Sequence, residues 1–369
     1  MLFFPPTIGL DVSDSSLKAV ALKKGGGGLF DLTAFGKGYL AENTVVDGEI
    51  KSYDSFEKTL NEVLTSEKSN FPRTKYLVAS LPEAKAFLRI LELPSGLKEK
   101  ELAEALKYEI EANIPMSLDE VYYDYEIVGH DTAAGHYDIM VNAIPKRIAD
   151  SYVDFFQKNG WQLTALEVDA VATKRALFAG DEAVKESALV LDIGAAQTSF
   201  LIVSEGILRF TSSNTVAGNQ FSKMLSQHFP LDLKEAEFMK RIVGLDQNHE
   251  KGQELLNVLR PDLTALKSQI QDYINFFETH PTSHNLSESA KKISKVVLTG
   301  GGAALWGLTD WLSQELHLGV VLGSLGKRLK MNPMSHAKIS LEESLPYATA
   351  VGLALRNFVI RTASSQRSG

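Results

Sequence analysis

The spacing of apolar and polar positions divides the chain into short strands and amphipathic helices. Strand-like alternation at 7–12, 16–23 and 29–38 is broken by a small-residue tip at 13–16 and by Gly25-Gly26-Gly27-Gly28. The four glycines predict a flexible hairpin tip, since no helix follows to aim its N-terminus at an anion. Phe56, Leu60, Val63 and Leu64 predict a helix over 53–66, and Tyr76-Leu77-Val78-Ala79 a short buried strand. The texture then changes. A strand at 84–93, a strongly patterned helix at 97–112 closing at Pro115, and strands at 120–128 and 136–144 read as a compact inserted block over 84–145. The outer face of that helix (Glu99, Glu101, Glu104, Glu111) is acidic, as a solvated face is. A helix (146–158), a strand (162–168) and a helix (169–179) follow.

The second half repeats the opening. Strands are predicted at 188–193, 197–204 and 206–213, then helices at 217–228 and 232–243. A long helical stretch at 250–279 is expected to break near Pro261 and restart, and 280–294 to loop. A strand at 295–299 meets Gly300-Gly301-Gly302, and a helix is expected over 303–316. The last helix, 344–360, carries Ala348, Ala350, Gly352 and Ala354 and is expected to bury itself against the first lobe; the Ser-rich tail beyond it is expected to be disordered. The expected organisation is a duplicated, two-lobed α/β fold. Its first lobe takes 1–83 and 146–186 with the helix 344–360 packed back on it, the insert 84–145, the second lobe 187–343 and the disordered tail 361–369.

Each half opens on a strand that ends in Asp. Asp11 is followed by Ser13, Ser15, Ser16 and Lys18, and Asp192 by Gly194, Ala195, Gln197 and Thr198. Such hairpin tips offer backbone N–H groups and a carboxylate to one point in space. A strand-end Asp is commonly only a turn residue. Two tips and a triple glycine in this order say more: facing tips would hold a nucleotide's phosphates. Mg²⁺ keeps several waters and is held by one or two carboxylates plus phosphate oxygens, a role that suits Asp11 and Asp192. Gly194 allows close backbone approach, and Lys18 lies where a point charge reaches a phosphate. Gly300, Gly301, Gly302 and Ala303 would let an adenine or ribose lie against bare backbone.

Composition narrows the classes. At 369 residues, 44% hydrophobic and 23% charged, the chain is an ordinary globular protein of about two or three domains. A formal charge of −8 argues against general binding to nucleic acid or an anionic membrane surface. Gly326-Lys327-Arg328-Leu329-Lys330 is expected to be a solvated basic loop. With no cysteine, disulfides, thiol catalysis and Cys-based zinc sites are excluded. The eight histidines read as core or surface residues with no metal-ligand spacing beside carboxylates. No secretory signal and no run of ~18 apolar residues is seen, so a cytoplasmic protein without a membrane span is expected.

These segments resemble the phosphate 1, phosphate 2 and adenosine motifs of the actin/Hsp70/sugar-kinase ATPase superfamily, with an actin-like (ribonuclease H-like) fold. Pro346 to Ala354 resembles its second connecting helix. Within it the chain is most similar to the PilM family of type IV pilus assembly proteins. The carrying residues are Ile8-Gly9-Leu10-Asp11, Ser15 to Val20, Val46-Asp47-Gly48-Glu49-Ile50, Leu191-Asp192-Ile193-Gly194 and Gly352 to Arg356. The resemblance implies ATP and Mg²⁺ as cofactors, with Gly218, Glu237 and Lys240 joining the nucleotide set. It also implies a partner, the cytoplasmic N-terminal peptide of a PilN-like inner-membrane protein, bound in a groove between the first lobe and the insert. The chain would then be cytoplasmic and peripheral at the inner membrane through that partner, beside other pilus assembly proteins and open to self-association, without inserting into the membrane itself.

Two departures from the family pattern matter. The first motif usually runs Asp-x-Gly, whereas Asp11-Val12-Ser13-Asp14 puts a side chain and an extra negative charge near the phosphates. No residue is assigned to activate an attacking water, Glu83 being the nearest candidate. The expectation is therefore a nucleotide-stabilised docking scaffold with at most weak ATPase activity. The rival readings are an FtsA-like filament protein, which would favour a basic amphipathic C-terminal helix, and a sugar or acid kinase, which would need a second general-base carboxylate.

Overall fold

The computed structural model describes residues 6–26, 29–66, 70–132, 134–178, 186–246, 248–279, 286–325, 329–330 and 339–366. The chain opens with an antiparallel meander of β1 (Ile8–Val12), β2 (Ser16–Lys24) and β3 (Phe30–Tyr39). A small hairpin follows, β4 (Val45–Val46) and β5 (Glu49–Ile50), turned by Asp47 and Gly48 at φ 52° and 78°. Positive φ at both central residues is what an Asp-Gly hairpin turn needs. Helix α1 (Tyr53–Thr65) leads to β6 (Tyr76–Leu81), which lies parallel to β1. The block of β7 (Phe87–Pro94), α2 (Glu99–Asn113), β8 (Val121–Asp131) and β9 (His136–Pro145) makes its own antiparallel sheet, order β7-β9-β8. Helix α2 covers one face of it with Leu102, Leu106 and Ile110 against Leu91, Leu93, Ile139 and Val141. Helix α3 (Lys146–Lys158), β10 (Gln162–Val168) and α4 (Asp169–Phe178) complete the first half.

The second half runs β11 (Ser187–Ile193), β12 (Thr198–Ser204), β13 (Ile207–Asn214), α5 (Gly218–His228), α6 (Leu233–Ile242) and α7 (Glu250–Thr279). It continues through β14 (Ile293–Thr299), α8 (Leu308–Leu316), β15 (Gly319–Leu322), β16 (Leu329–Lys330), α9 (Leu341–Ser344) and α10 (Ala348–Gln366). The duplication is visible in the sheets. One has the order β10-β6-β1-β2-β3-β16 and the other β15-β14-β11-β12-β13. In both, the first strand pairs antiparallel with the second and parallel with the fourth. Short β16 comes from the second half and joins the first sheet beside β3.

Burial gives the layers. One face of the first sheet packs on α1 and α3 through Leu10, Leu17, Phe56, Tyr152, Phe155 and Phe156. One face of the second packs on α5, α7 and α8 through Leu191, Phe200, Phe221, Leu259 and Leu312. Between the sheets lie α4 and α10, with Val20, Val190, Leu201, Ala350 and Ala354 in one cluster. Helix α10 comes close because its residues are small. A Cβ on Gly352 would run into the Ala172 carbonyl of α4, and one on Gly9 into the Ala350 carbonyl. Thr173 and Thr349 share a hydrogen bond of 2.8 Å across the same crossing.

Several expectations need correction. Helix α7 is one 30-residue helix that contains Pro261. A proline inside a helix costs about 3 kcal/mol, but buried Leu255, Leu259, Leu263, Leu266 and Ile270 on both sides of it hold the helix to the core. The helix expected at 303 starts at Leu308, because a short 3₁₀ turn (Gly301–Ala304) and left-handed Gly307 (φ 80°) come first. The expected disordered tail is helical through Gln366, and 367–369 lie outside the described residues. The glycine tip at Gly27–Gly28, part of the expected loop (280–285) and most of the expected basic loop (326–328) also lie outside them; Leu329 and Lys330 belong to β16. Among the described residues no helix is long and apolar enough to cross a membrane.

Candidate nucleotide site

The first tip is organised around Asp11, which is buried at the end of β1. Its Oδ2 accepts from Lys18 Nζ at 2.7 Å and its Oδ1 from Ser80 Oγ at 3.2 Å. Ser80 Oγ in turn accepts from the Val12 N–H at 2.8 Å. Lys18 is placed by register, since Asp11 and Lys18 are paired residues of the β1–β2 ladder. Burial pulls the Lys18 ammonium down, but Asp11, with help from Asp192 and Tyr347, more than offsets this and holds it above its ordinary value. Ser13 and Ser16 close the turn on each other: the Ser16 N–H donates to Ser13 Oγ at 3.1 Å and the Ser13 N–H to the Ser16 carbonyl at 3.0 Å. The Ser15 carbonyl accepts from the Leu40 N–H. Asp14 is exposed and turns to the β4–β5 turn, where its Oδ1 accepts from the Gly48 N–H at 3.1 Å.

The second tip lies at the end of β11. The Gly194 N–H donates to the Gln197 carbonyl at 2.9 Å, closing the turn, and Ala195 is exposed at its apex. Thr198 is fully buried and its hydroxyl donates to the Val216 carbonyl at 2.6 Å, so it braces the tip from behind. The tip then holds the start of α5: the Gly218 N–H donates to the Gly194 carbonyl at 3.0 Å and the Asn219 N–H to the Ala195 carbonyl at 2.8 Å. Lys240 of α6 is buried beneath, and its Nζ donates to the Gly218 carbonyl (3.0 Å), Ser222 Oγ (3.0 Å) and Glu237 Oε2 (2.6 Å). Burial lowers the Lys240 ammonium against the pull of Glu237. Burial raises the Glu237 carboxyl, but Lys240 outweighs it and keeps the group below its ordinary value. Gly194, Ala195, Gly218, Glu237 and Lys240 thus form one cluster, with Glu237 at its open side.

The triple glycine meets the second tip through register, Asp192 pairing with Thr299. The space beside Gly300 (φ 83°) is taken by Asp192 Oδ1 and the Ile193 carbonyl, and that beside Gly302 by the Ile193 side chain. Two of the three glycines are therefore required by the chain's own packing, a different reason from the expected adenine contact. Gly301 is the open one, its nearest neighbour being Pro346 Cγ at 4.0 Å. Ala303 is buried in the core.

The tips are brought together. Lys18 and Asp11 of the first sheet act electrostatically on Asp192 of the second, whose carboxyl is pushed up to about 6 by burial, with Lys18 pulling down and Asp11 pushing up. A carboxylate left uncomfortable in this way beside a second one is a fitting donor set for a hard divalent cation, which takes oxygen ligands. Asp11 already carries Lys18, so a cation and phosphate arriving here would share or displace that ammonium.

The sequence of residues 9–358 matches the family model described as type IV pilus assembly protein PilM. The chain belongs to the PilM family. Among solved structures, that of the PilM-PilN type IV pilus biogenesis complex is similar at 24% identity and TM-score 0.77, covering 95% of this chain and 98% of that one. MreB5 of Spiroplasma citri bound to AMPPNP (15%, TM-score 0.56, 98% of each chain) shares the fold. So does the ethanolamine utilization protein EutJ from Carboxydothermus hydrogenoformans (17%, TM-score 0.55, 96% of this chain and 90% of that one). The fold is the two-lobed, actin-like α/β arrangement.

This PilM-family site includes residues that sequence reading missed. Ser80 stands in an otherwise apolar strand, the one polar residue in Leu77 to Leu81, and that interruption was the available signal. Asp169 opens α4, where its Oδ1 accepts from the Glu83 N–H at 3.1 Å and the Ala170 N–H at 2.6 Å. Burial, then Glu83, Asp11 and Asp192, push its carboxyl well above the ordinary range. Glu83 itself is buried; burial raises it, while the hydroxyls of Thr211, Ser199 and Ser213 on β12 and β13 draw it down. Asp169 and Glu83 thus add two carboxyl groups to the electrostatic surroundings of Asp11 and Asp192.

Proposed function

We propose that this chain binds ATP with Mg²⁺ between the Asp11 and Asp192 tips and works as a nucleotide-stabilised scaffold in type IV pilus assembly. The observation that carries the reading is the convergence of Lys18, Asp11 and Asp192 from opposite sheets, with Asp192 held near a pKa of about 6 by burial. Phosphate oxygens would meet Lys18 and the backbone of both tips. Mg²⁺ would neutralise the two carboxylates through its waters. Ser13, Ser15, Ser16, Gly194, Ala195, Gln197 and Thr198 shape the tips, and Gly218, Glu237, Lys240 and Gly300 to Ala303 the nucleoside side. The nucleotide-bound structure of MreB5 supports the ligand class.

The same reading gives the lobes as 1–83 with 146–186, and 187–343, and the insert as 84–145. The partner is the cytoplasmic N-terminal peptide of a PilN-like inner-membrane protein, which would hold this chain at the membrane; the PilM-PilN complex supports it. At most weak hydrolysis is expected, since Asp169 Oδ1 is engaged by the Glu83 and Ala170 N–H groups and no residue is assigned to activate an attacking water. The test is thermal unfolding with and without ATP and Mg²⁺. A concentration-dependent rise in midpoint that is lost in Asp192→Ala supports the reading. No rise in the native chain overturns it.

A further inference from the structure

The ladder between β7 and β9 sets Glu92 opposite Asp138 and Pro94 opposite His136. His136 and Asp138 are two apart on β9 and so share a face, the one opposite α2. That brings a histidine between two carboxylates, contrary to the expectation that no histidine had metal-ligand company. His136 Nε2 lies 3.3 Å from Asp138 Oδ1 and 3.9 Å from Glu92 Oε2, and one ligand atom from each residue falls within 4.8 Å of the others. Among the described residues no other group of three His, Asp or Glu side chains converges in this way.

We propose that Glu92, His136 and Asp138 form a binding site for a first-row divalent cation of the zinc class. Three observations carry it. First, His136 Nε2 and Asp138 Oδ1 are both buried and neither has a hydrogen-bond partner, although they face each other. The Asp138 side chain is only 8% exposed, and a buried polar atom of this kind is costly without a partner. Second, the spacing fits. Zinc bonds of about 2.0–2.1 Å to imidazole and carboxylate set neighbouring ligands of a tetrahedron about 3.3–3.5 Å apart, against 3.3 Å for His136 and Asp138. Glu92 is 44% exposed, so its longer side chain has room to close the 3.9 Å gap, and the open side admits a water as fourth ligand. Third, the outer support is built. Asp138 Oδ2 accepts from Arg209 Nη1 of β13 at 3.2 Å, and Arg209 is 3% exposed. Ligating carboxylates are commonly oriented by such a partner. An imidazole with two carboxylates suits zinc, cobalt or nickel; magnesium and calcium prefer all-oxygen sites. The cation would pin the inserted sheet where it meets β13, independently of the nucleotide site.

The test uses the full chain, stripped with chelator, dialysed and titrated with Zn²⁺ by calorimetry, with Co²⁺ as a visible-absorption probe of ligand number. One equivalent should bind, Mg²⁺ in excess should not displace it, and Asp192→Ala should leave it unchanged. His136→Ala and Glu92→Gln should each weaken binding about 10-fold or more, since even residues that only orient a ligand are worth that much. Glu92 is half-exposed, so Glu92→Gln should keep the metal-free melting midpoint of the native chain and separate lost binding from lost folding. Absence of saturable Zn²⁺ binding, or equal affinity in both variants and the native chain, overturns the proposal. The cluster would then only join the inserted sheet to β13 through the Asp138–Arg209 contact.

Discussion

The Asp14 carboxylate accepts a hydrogen bond from the Gly48 backbone N–H at 3.1 Å. Two segments of the family resemblance, the first tip and Val46 to Ile50, therefore touch. The charge that looked adverse to phosphates is spent on holding the Asp47-Gly48 turn, which Pro82 backs so closely that a Cβ on Gly48 would collide with its ring. Asp14→Ala should lower stability by about 1 kcal/mol, the usual worth of one exposed hydrogen bond. It should leave nucleotide affinity within about twofold, because the Asp14 carboxylate is engaged with the β4–β5 turn (a factor of two being about 0.4 kcal/mol). Urea unfolding and nucleotide titration on the same variant read both numbers.

Lys18 and Asp11 form a partly buried pair at 2.7 Å, with side chains 16% and 11% exposed. Removing one partner leaves the other charge buried and unpaired. Lys18→Met should cost about 3 kcal/mol, near the low end for such pairs because some solvent reaches them. Asp11→Asn combined with Lys18→Met should cost less than the sum of the two single changes, since the double variant leaves no orphaned charge. Chemical denaturation of the four proteins gives the coupling directly. Additive losses would mean the pair contributes nothing.

Asp192 gives the pH dependence. Its carboxyl sits at about 6 in the folded chain against 3.8 for the ordinary group. Between these values the folded state holds a proton that the unfolded state has lost, so stability falls as pH rises from about 4 to about 6 and stays lower above that. The loss should be about 1–3 kcal/mol, the upper figure being for full burial. Asp192→Asn should remove that slope and stabilise the ligand-free chain at pH 7. Nucleotide with Mg²⁺ should do the opposite to the native chain: it needs the charged form, so its stabilisation should fade as pH drops below about 6. Melting curves at stepped pH, with and without nucleotide, test both signs.

Both Asp-led tips, the duplicated meander and the insert were legible because each rests on local pattern: alternation, a strand-end Asp and a run of glycines. What escaped depends on contacts distant in sequence. Asp169 became a site residue only when α4 met the turn that carries Glu83, a candidate the sequence did offer, and Ser80 only when β6 paired beside β1. Pro261 misled for the same reason, since local preference says stop while buried leucines on both sides carry α7 through. The glycine run at 300–302 is plain in the sequence, but that the space beside Gly300 and Gly302 is taken by Asp192 and Ile193 depends on the pairing of β11 with β14.

Gly352 offers a test in which the sign alone decides. In an exposed helix interior, Gly→Ala stabilises by about 1 kcal/mol. Gly352 lies inside α10, but a Cβ there would run into the Ala172 carbonyl, which is backbone of α4 and cannot rotate away. The same crossing carries the Arg175 hydrogen bond to the Gly352 carbonyl at 2.9 Å. Gly352→Ala should therefore destabilise, by about 1–3 kcal/mol as overpacking does. Because α4 begins at Asp169 and α10 also packs against β1, which ends near Asp11, the shift should also weaken nucleotide binding at a site the residue never touches. A stabilised Gly352→Ala protein with native affinity would show that α10 and α4 do not cross as closely as described.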